Sequence, residues 1–204
     1  MKIICIGRNY KEHIRELNHS MPEKPLFFFK PDTCLLPQGN PFYYPEFSNE
    51  IHYEAEIVVR INKVGKTIGE RFAKNYYSEI GFGLDLTARD IQRYEIDNSL
   101  PWTLSKTFDY SCPISKFYNI SEFGDNVQDL NFKLFQNGEL VQSSNTSDMI
   151  FSIDHLISYI SKYITLKVGD LIFTGTPKGV GEINISDKLE GYIENTKVLD
   201  LEIK

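Results

Sequence analysis

His52-Tyr53-Glu54-Ala55-Glu56-Ile57-Val58-Val59 is the stretch on which the fold turns. Tyr, Ile and Val favour a pleated strand, and on a strand alternate residues share a face. Glu54 and Glu56 therefore point to one side, with Cα atoms roughly 7 Å apart. Two carboxylates side by side repel unless a cation lies between them. The apolar residues that follow carry this strand into a core. A hard divalent ion with oxygen ligands, Mg²⁺ or Mn²⁺, is the simplest partner for such a pair. An exposed edge strand bearing two solvated glutamates is the plainer alternative, and the spacing by itself does not separate the two.

The segments on either side add chemistry. Downstream, Ile80-Gly81-Phe82-Gly83-Leu84-Asp85-Leu86 reads as a strand whose glycines allow close backbone approach. Asp85 ends it just before Thr87-Ala88-Arg89-Asp90, which opens a helix with Thr87 as N-cap and Asp90 as the acidic member of a capping box. Asp85 is either a turn residue or a third carboxylate that completes an oxygen site with Glu54 and Glu56. Arg89 and Gln92 lie three apart on that helix and share a face. Leu100 to Lys106 reads as a turn and loop, and Lys106 as a pocket cation or a surface lysine. Upstream, Leu26 to Pro31 is an apolar strand ending in Lys30, which points into a pocket or, as is commoner, snorkels to water. Lys2 to Ile6 is a buried strand, Gly7 to Tyr10 a turn, and Lys11 to Leu17 a short helix terminated by Pro22 and Pro25. His13 and Glu16 are neighbours on that helix: a general-base pair, or a solvated ion pair. His19 belongs to the surface of the same segment.

Elsewhere the pattern is structural. Asn62 to Lys66 is a turn whose strain Gly65 relieves. Asn131 to Val141 is a hairpin with Asn137-Gly138 suited to a type I′ turn. Ser152 caps a helix whose Ile153, Leu156, Ile157, Ile160 and Ile164 form a core face, with His155 structural or exposed. Asp170 to Gly181 is a strand running into a glycine-rich loop that lacks the G-K-[ST] ending of a P-loop. Its backbone N–H groups and the Thr174 and Thr176 hydroxyls are candidates to hold a substrate carboxylate. Strands outnumber helices and no βαβ rhythm is present, so the expectation is an α+β, mostly β protein on antiparallel or mixed sheets.

Composition narrows the class. The chain has 204 residues, 41% of them hydrophobic, which suits one domain with a substantial core. A net charge of −6 argues against a nucleic-acid partner. Cys5, Cys34 and Cys112 are odd in number and scattered, as for reduced thiols in a cytoplasmic protein. No secretory leader and no membrane-spanning run is expected.

Taken together, Gly7-Arg8-Asn9-Tyr10, His52-Tyr53-Glu54-Ala55-Glu56, Asp85 to Gln92, Leu100-Pro101-Trp102-Thr103, Asn145-Thr146-Ser147 and Thr174 to Gly181 resemble the fumarylacetoacetate hydrolase family. The likeness is to its small acylpyruvate hydrolase and oxaloacetate decarboxylase branch. It covers nearly the whole chain, with all motifs in family order. The resemblance implies a mixed β-roll with a short N-terminal lid helix (about residues 10–24), and a homodimer. It implies Glu54, Glu56 and Asp85 as ligands for Mg²⁺ or Mn²⁺, and His13 with Glu16 as a water-activating dyad on the lid. Lys106 is implied as catalytic, and Arg8, Lys30, Arg89, Gln92 and Thr176 as substrate-binding. Asp32 departs from the branch, which has a small or neutral residue there.

The activity implied is metal-dependent hydrolysis of 3-acylpyruvates, with oxaloacetate decarboxylation as a possible second reaction on the same small 2-oxo acid site. His13, oriented by Glu16, deprotonates a water that attacks the C4 carbonyl, and pyruvate enolate leaves. The alternatives are a keto–enol isomerase of the same family, against which the dyad counts, and a non-catalytic binding protein, against which the complete carboxylate set counts.

Overall fold

A computed structural model describes residues 1–18, 20–124 and 126–204, so His19 lies outside the described residues. In chain order the strands are β1 (Ile3–Gly7), β2 (Leu26–Lys30), β3 (Leu35–Pro37), β4 (Ile51–Tyr53), β5 (Ala55–Ile61), β6 (Tyr77–Leu84), β7 (Thr87–Ala88), β8 (Cys112–Ile114), β9 (Tyr118–Asn119), β10 (Asn131–Gln136), β11 (Glu139–Asn145), β12 (Leu171–Phe173), β13 (Gly181–Glu182), β14 (Lys188–Ile193) and β15 (Thr196–Glu202). The α-helices are α1 (Lys11–Glu16), α2 (Arg89–Asp97), α3 (Thr103–Lys106) and α4 (Ile153–Tyr163). The protein is mostly β, as its alternating apolar pattern requires.

The main sheet runs β2-β1-β12-β5-β6-β8-β3, with β9 also on β6. It is mixed: β1 with β12 and β3 with β8 are parallel, the other pairs antiparallel. A four-stranded antiparallel sheet, β11-β10-β14-β15, packs on it. Between the two sheets Phe132 meets Phe82 edge-on at 6.4 Å and Tyr10 edge-on at 6.2 Å. Gly191 lets this approach happen, since a Cβ there would lie 2.6 Å from the Phe82 ring. A third sheet, β13-β4-β7, borders the site.

β5 is buried on both faces. Ala55, Ile57, Val59 and Ile61 enter the large core, and Val58 enters a smaller cluster with Ile3, Cys5, Cys34, Cys112 and Phe173. A strand covered on both sides reads as a continuous apolar run, and each fully buried aliphatic side chain is worth about 1.5–3 kcal/mol. The glycines of β6 serve the approach expected of them: a Cβ on Gly83 would meet Phe173 at 2.5 Å. Cys5, Cys34 and Cys112 are free and buried. Asn137 and Gly138 both have positive φ (53° and 84°), as a type I′ turn demands. Ser152 caps α4 by accepting the His155 N–H at 3.2 Å, while His155 stacks on Phe151 and reaches Glu70 at 3.0 Å.

Local expectations fail in four places. α1 stops at Glu16, well before Pro22, because Asn18 takes a left-handed φ of 53°. Gly65 has no left-handed φ; its role is steric, since a Cβ would lie 2.4 Å from Tyr76. Thr87 is in β7 and bonds the Asp85 carbonyl, so α2 starts from Ala88 without a side-chain cap. Asp90 instead accepts from Ser48, Asn49 and the Ile91 N–H. Finally, the segment before Lys106 is not a loop but the helical turn α3. Among the described residues no helix is long and apolar enough to cross a membrane.

Candidate active site

The site forms where the chain changes sheets. β4 belongs to the small sheet and β5 to the main one, with Glu54 between them. β6 and β7 make the parallel change at Asp85. The two breaks lie side by side: Ala55 pairs with Leu84, Ile51 with Ala88, and the Asp85 N–H donates to the Glu54 carbonyl at 2.8 Å. Glu54, Glu56 and Asp85 are thereby brought together, each buried, with one oxygen of each within 4.8 Å of the others.

Three cations answer three carboxylates, but unevenly. Lys106 Nζ lies 2.8 Å from Glu54 and 2.9 Å from Asp85. Lys30 Nζ is 2.6 Å from the other Asp85 oxygen and also donates to Ser111 and the Leu86 carbonyl. Arg89 donates to Glu54 at 2.6 Å and to Gln92 at 2.5 Å, and its Nε faces His52 Nδ1. Among the described residues Glu56 receives only the Gly175 N–H, at 2.7 Å. The charge states follow. Burial would raise Glu54, but Lys106 and Arg89 hold it well below the usual carboxylate range. Burial raises Glu56 and the neighbouring Asp85 and Glu54 raise it further. Burial works against the Lys30 and Lys106 cations, yet Asp85 holds both above the ordinary lysine range.

This donor set fits a divalent metal. Three hard oxygen ligands converge, and one of them, Glu56, has no side-chain cation of its own to balance it. Such a site leaves positions for water and substrate.

The cavity beside the carboxylates brings together Arg8, His13, Arg89, Gln92, Lys106 and Thr176, with Phe28, Ile96, Leu17 and Trp102 as apolar walls. His13 Nδ1 is 3.1 Å from Glu16, which directs Nε2 to be the free ring nitrogen. The other Glu16 oxygen accepts the Gly179 N–H at 2.9 Å, so α1 is strapped to the glycine-rich loop. Burial would raise Glu16, but the His13 and Gly179 hydrogen bonds outweigh it and lower it.

Not every candidate faces this cavity. Lys30 lies behind Asp85, fully buried, and is absent from the cavity wall. It does not snorkel, because four oxygens hold it inside. The Thr174 hydroxyl is spent on the Ile57 carbonyl at 2.8 Å. Asp32 is exposed.

Sequence reasoning passed over three supports. Glu95 accepts from the Leu104 N–H and the Ser105 hydroxyl, fixing the turn that presents Lys106. Gln142 bonds the Ala55 N–H at 2.9 Å and the Thr176 hydroxyl at 3.0 Å, tying the carboxylate strand to the loop. His52 links Arg89 to Glu50. Neither Glu95 nor Gln142 belongs to a motif singled out in the sequence, and only their burial in the fold marks them.

Comparison with known proteins shows what the chain and its fold are similar to. The profile described as "Fumarylacetoacetate (FAA) hydrolase C-terminal" matches residues 2–204. The mouse protein named oxaloacetate tautomerase FAHD1, mitochondrial, is 43% identical over 99% of this chain and 91% of its own length. The Dictyostelium discoideum protein named oxaloacetate decarboxylase, mitochondrial, is 44% identical over 89% of this chain and 84% of its own. The crystal structure of fumarylpyruvate hydrolase from Pseudomonas aeruginosa in complex with Mn²⁺ and pyruvate superposes with a TM-score of 0.93 at 34% identity, covering 100% of this chain and 89% of that one.

Proposed function

Because this chain belongs to the fumarylacetoacetate hydrolase family, whose enzymes share the fold described above, we propose that it acts on small 2-oxo acids through their enolate form. We take oxaloacetate as the principal substrate, by decarboxylation or keto–enol interconversion, and 3-acylpyruvate hydrolysis as the second reaction. The observation that carries this reading is the buried Lys106 ammonium at the Glu54–Glu56–Asp85 cluster, on the wall of a cavity that also holds His13.

Glu54, Glu56 and Asp85 would hold the metal, Mg²⁺ or Mn²⁺. When bound, it supplies Lewis acidity toward the 2-oxo and carboxylate oxygens of a substrate. Lys106 sets a fixed positive charge where the 2-oxo oxygen becomes negative, in a site shielded from water. Gln92 and Thr176 orient the substrate carboxylate. The Thr176 hydroxyl accepts from Gln142, so its own proton remains to donate. In decarboxylation the C3–C4 electron pair moves to C2–C3 and the C2–O π pair onto oxygen as CO₂ departs, and His13, once it has taken up a proton from solvent at Nε2, delivers the proton that C3 then needs. In interconversion the same imidazole takes a proton from C3 and returns it to oxygen. The dyad therefore does not count against a tautomerase, as it does on sequence reasoning alone. In hydrolysis Glu16 holds the His13 tautomer whose Nε2 deprotonates water for attack at C4.

The family resemblance also supports a homodimer and a lid about residues 10–24, and the buried free thiols suit a reducing compartment such as the cytoplasm. Purified protein, loaded with Mn²⁺ or stripped with EDTA, is to be assayed for loss of oxaloacetate enol, for pyruvate from oxaloacetate, and for pyruvate from acetylpyruvate. Metal-dependent turnover of oxaloacetate is expected; full activity after thorough chelation refutes the reading.

A further inference from the structure

Among the described residues, every lysine and arginine of the site but one is committed. Lys30, Lys106 and Arg89 are each within 3 Å of a carboxylate oxygen. Arg8 lines the same cavity, and among the described residues its guanidinium has no ion-pair partner. Its Nε is buried and makes no hydrogen bond. A buried N–H of a charged group left unmade is costly, so such a group points to a partner that arrives with a ligand.

The backbone is built to hold Arg8 in place. Its φ is +60°, a left-handed conformation that costs an arginine free energy. Next to it, Asn9 is fully buried and bonded to the Phe151 and Thr174 carbonyls and the Phe151 N–H. Gly175 crosses so closely that a Cβ there would lie 2.7 Å from Asn9. The turn is thus pinned on both sides, and the arginine is carried at a fixed point of the cavity that Phe28 and Trp102 also line. An apolar wall strengthens any charge pair formed beside it.

We propose that Arg8 reads the distal carboxylate of a 2-oxo dicarboxylic acid, and so selects diacids of the oxaloacetate type over 2-oxo acids whose far end is uncharged. This rests on the proposed function, which places the substrate's 1-carboxylate and 2-oxo group at the carboxylate cluster. Arg8 is then the free cation for the second carboxylate, which a guanidinium can bind with two parallel hydrogen bonds. A site built around such a bond rejects ligands that lack it, because its buried donor stays unpaired.

The test compares oxaloacetate with 2-oxobutyrate, which has the same four carbons but a methyl in place of the distal carboxylate. Affinity for the Mn²⁺-loaded protein is read by thermal shift, alongside kcat/KM on oxaloacetate. The variants are Arg8→Asn, which removes the cation but tolerates the left-handed backbone, and Arg8→Lys, which keeps a point charge. Wild type should prefer oxaloacetate by about 10- to 100-fold, Asn should bring the two ligands within about 3-fold, and Lys should fall between. An unchanged preference in Arg8→Asn, or an equal loss for both ligands, overturns the assignment. If wild type turns over no oxaloacetate yet shows the preference and Asn abolishes it, the reaction proposed above falls and the carboxylate-reading role stands. Turnover with an unchanged preference in Arg8→Asn has the opposite meaning.

Discussion

Replacing Glu56 by Gln should have two effects of opposite sign. Glu56 is buried beside two other carboxylates and receives one backbone N–H. In Glu56→Gln the amide oxygen can keep the Gly175 N–H while the NH₂ turns toward Glu54 and Asp85, replacing repulsion with donation. Metal-free variant should therefore be more stable than metal-free wild type near pH 8. The sign with pH is fixed by the raised Glu56 carboxyl. Its folded form holds the proton more tightly than the unfolded chain, so its cost to stability appears as pH rises above about 4.3 and is complete above the folded value. The gap between variant and wild type should thus open with rising pH and close in acid. With metal the order reverses. Mn²⁺ at 100 times its dissociation constant adds about 2.7 kcal/mol to wild type. At about 2–4 °C per kcal/mol for a chain of this size, Tm rises by about 5–11 °C. Loss of one of three charged ligands should remove most of that shift. Differential scanning fluorimetry across pH 5–9, with EDTA and with Mn²⁺, reads both effects. A wild-type Mn²⁺ shift in the variant, or a metal-free variant less stable than wild type at pH 8, refutes the reasoning.

Other perturbations probe separate parts. Lys30→Met removes one of the two buried cations of Asp85, leaving Lys106 on the other oxygen, and should cost up to about 3–5 kcal/mol in urea unfolding of the metal-free protein; a cost under 1 kcal/mol would place Lys30 outside the structural role its contacts indicate. His13→Ala should lower acetylpyruvate hydrolysis about 10²- to 10⁴-fold while the Mn²⁺ shift in Tm stays as in wild type, with a smaller fall in oxaloacetate decarboxylation; equal losses would make the dyad a lid-closing device. Burial would raise Asp187, but hydrogen bonds from Asn137, the Asn184 N–H and Gln136 outweigh it and hold it low. Its contribution is present above the unfolded value of about 3.9 and is lost as pH falls through the lower folded value. Asp187→Asn should therefore lower the urea midpoint at pH 6 and match wild type near pH 2. Gly83→Ala should destabilise by about 1–3 kcal/mol through overlap with Phe173 and Val58, checked by the same unfolding curves.

The carboxylate strand was legible because its signal is local. The spacing pointed to Glu54 and Glu56 meeting on one side and the apolar continuation to a core, although the expected single strand is broken at Glu54, between β4 and β5. Asp85 was legible as a strand-end carboxylate, though not its adjacency, which depends on two sheet changes meeting across β5 and β6. The roles of Lys30 and Lys106 were undecided for the same reason: each meets its partners across 21 to 81 residues of chain. Snorkelling is the usual fate of a strand-end lysine, and only a buried acceptor set reverses it. The cap assigned to Thr87 failed because a tertiary strand pairing with His52 took that residue first. The family resemblance carried what periodicity did not, namely which of many polar residues share one cavity, with Lys30 the exception behind Asp85.

The placement of β12 bears on how the protein is made. This strand lies in the middle of the main sheet, between β1 and β5, yet β1 to β11 are all synthesised before it. The Lys2 to Asp170 contact that anchors it spans 168 residues. At roughly 5–20 residues per second, β1 must wait about 8–33 s and β5 about 6–22 s with an unsatisfied apolar edge each. Long-range pairing of this kind is slow to form and exposed to aggregation while it is pending. A nascent chain stalled before Leu171 therefore presents two sticky strand edges and no assembled site, and should engage chaperones that a chain stalled after Gly181 does not.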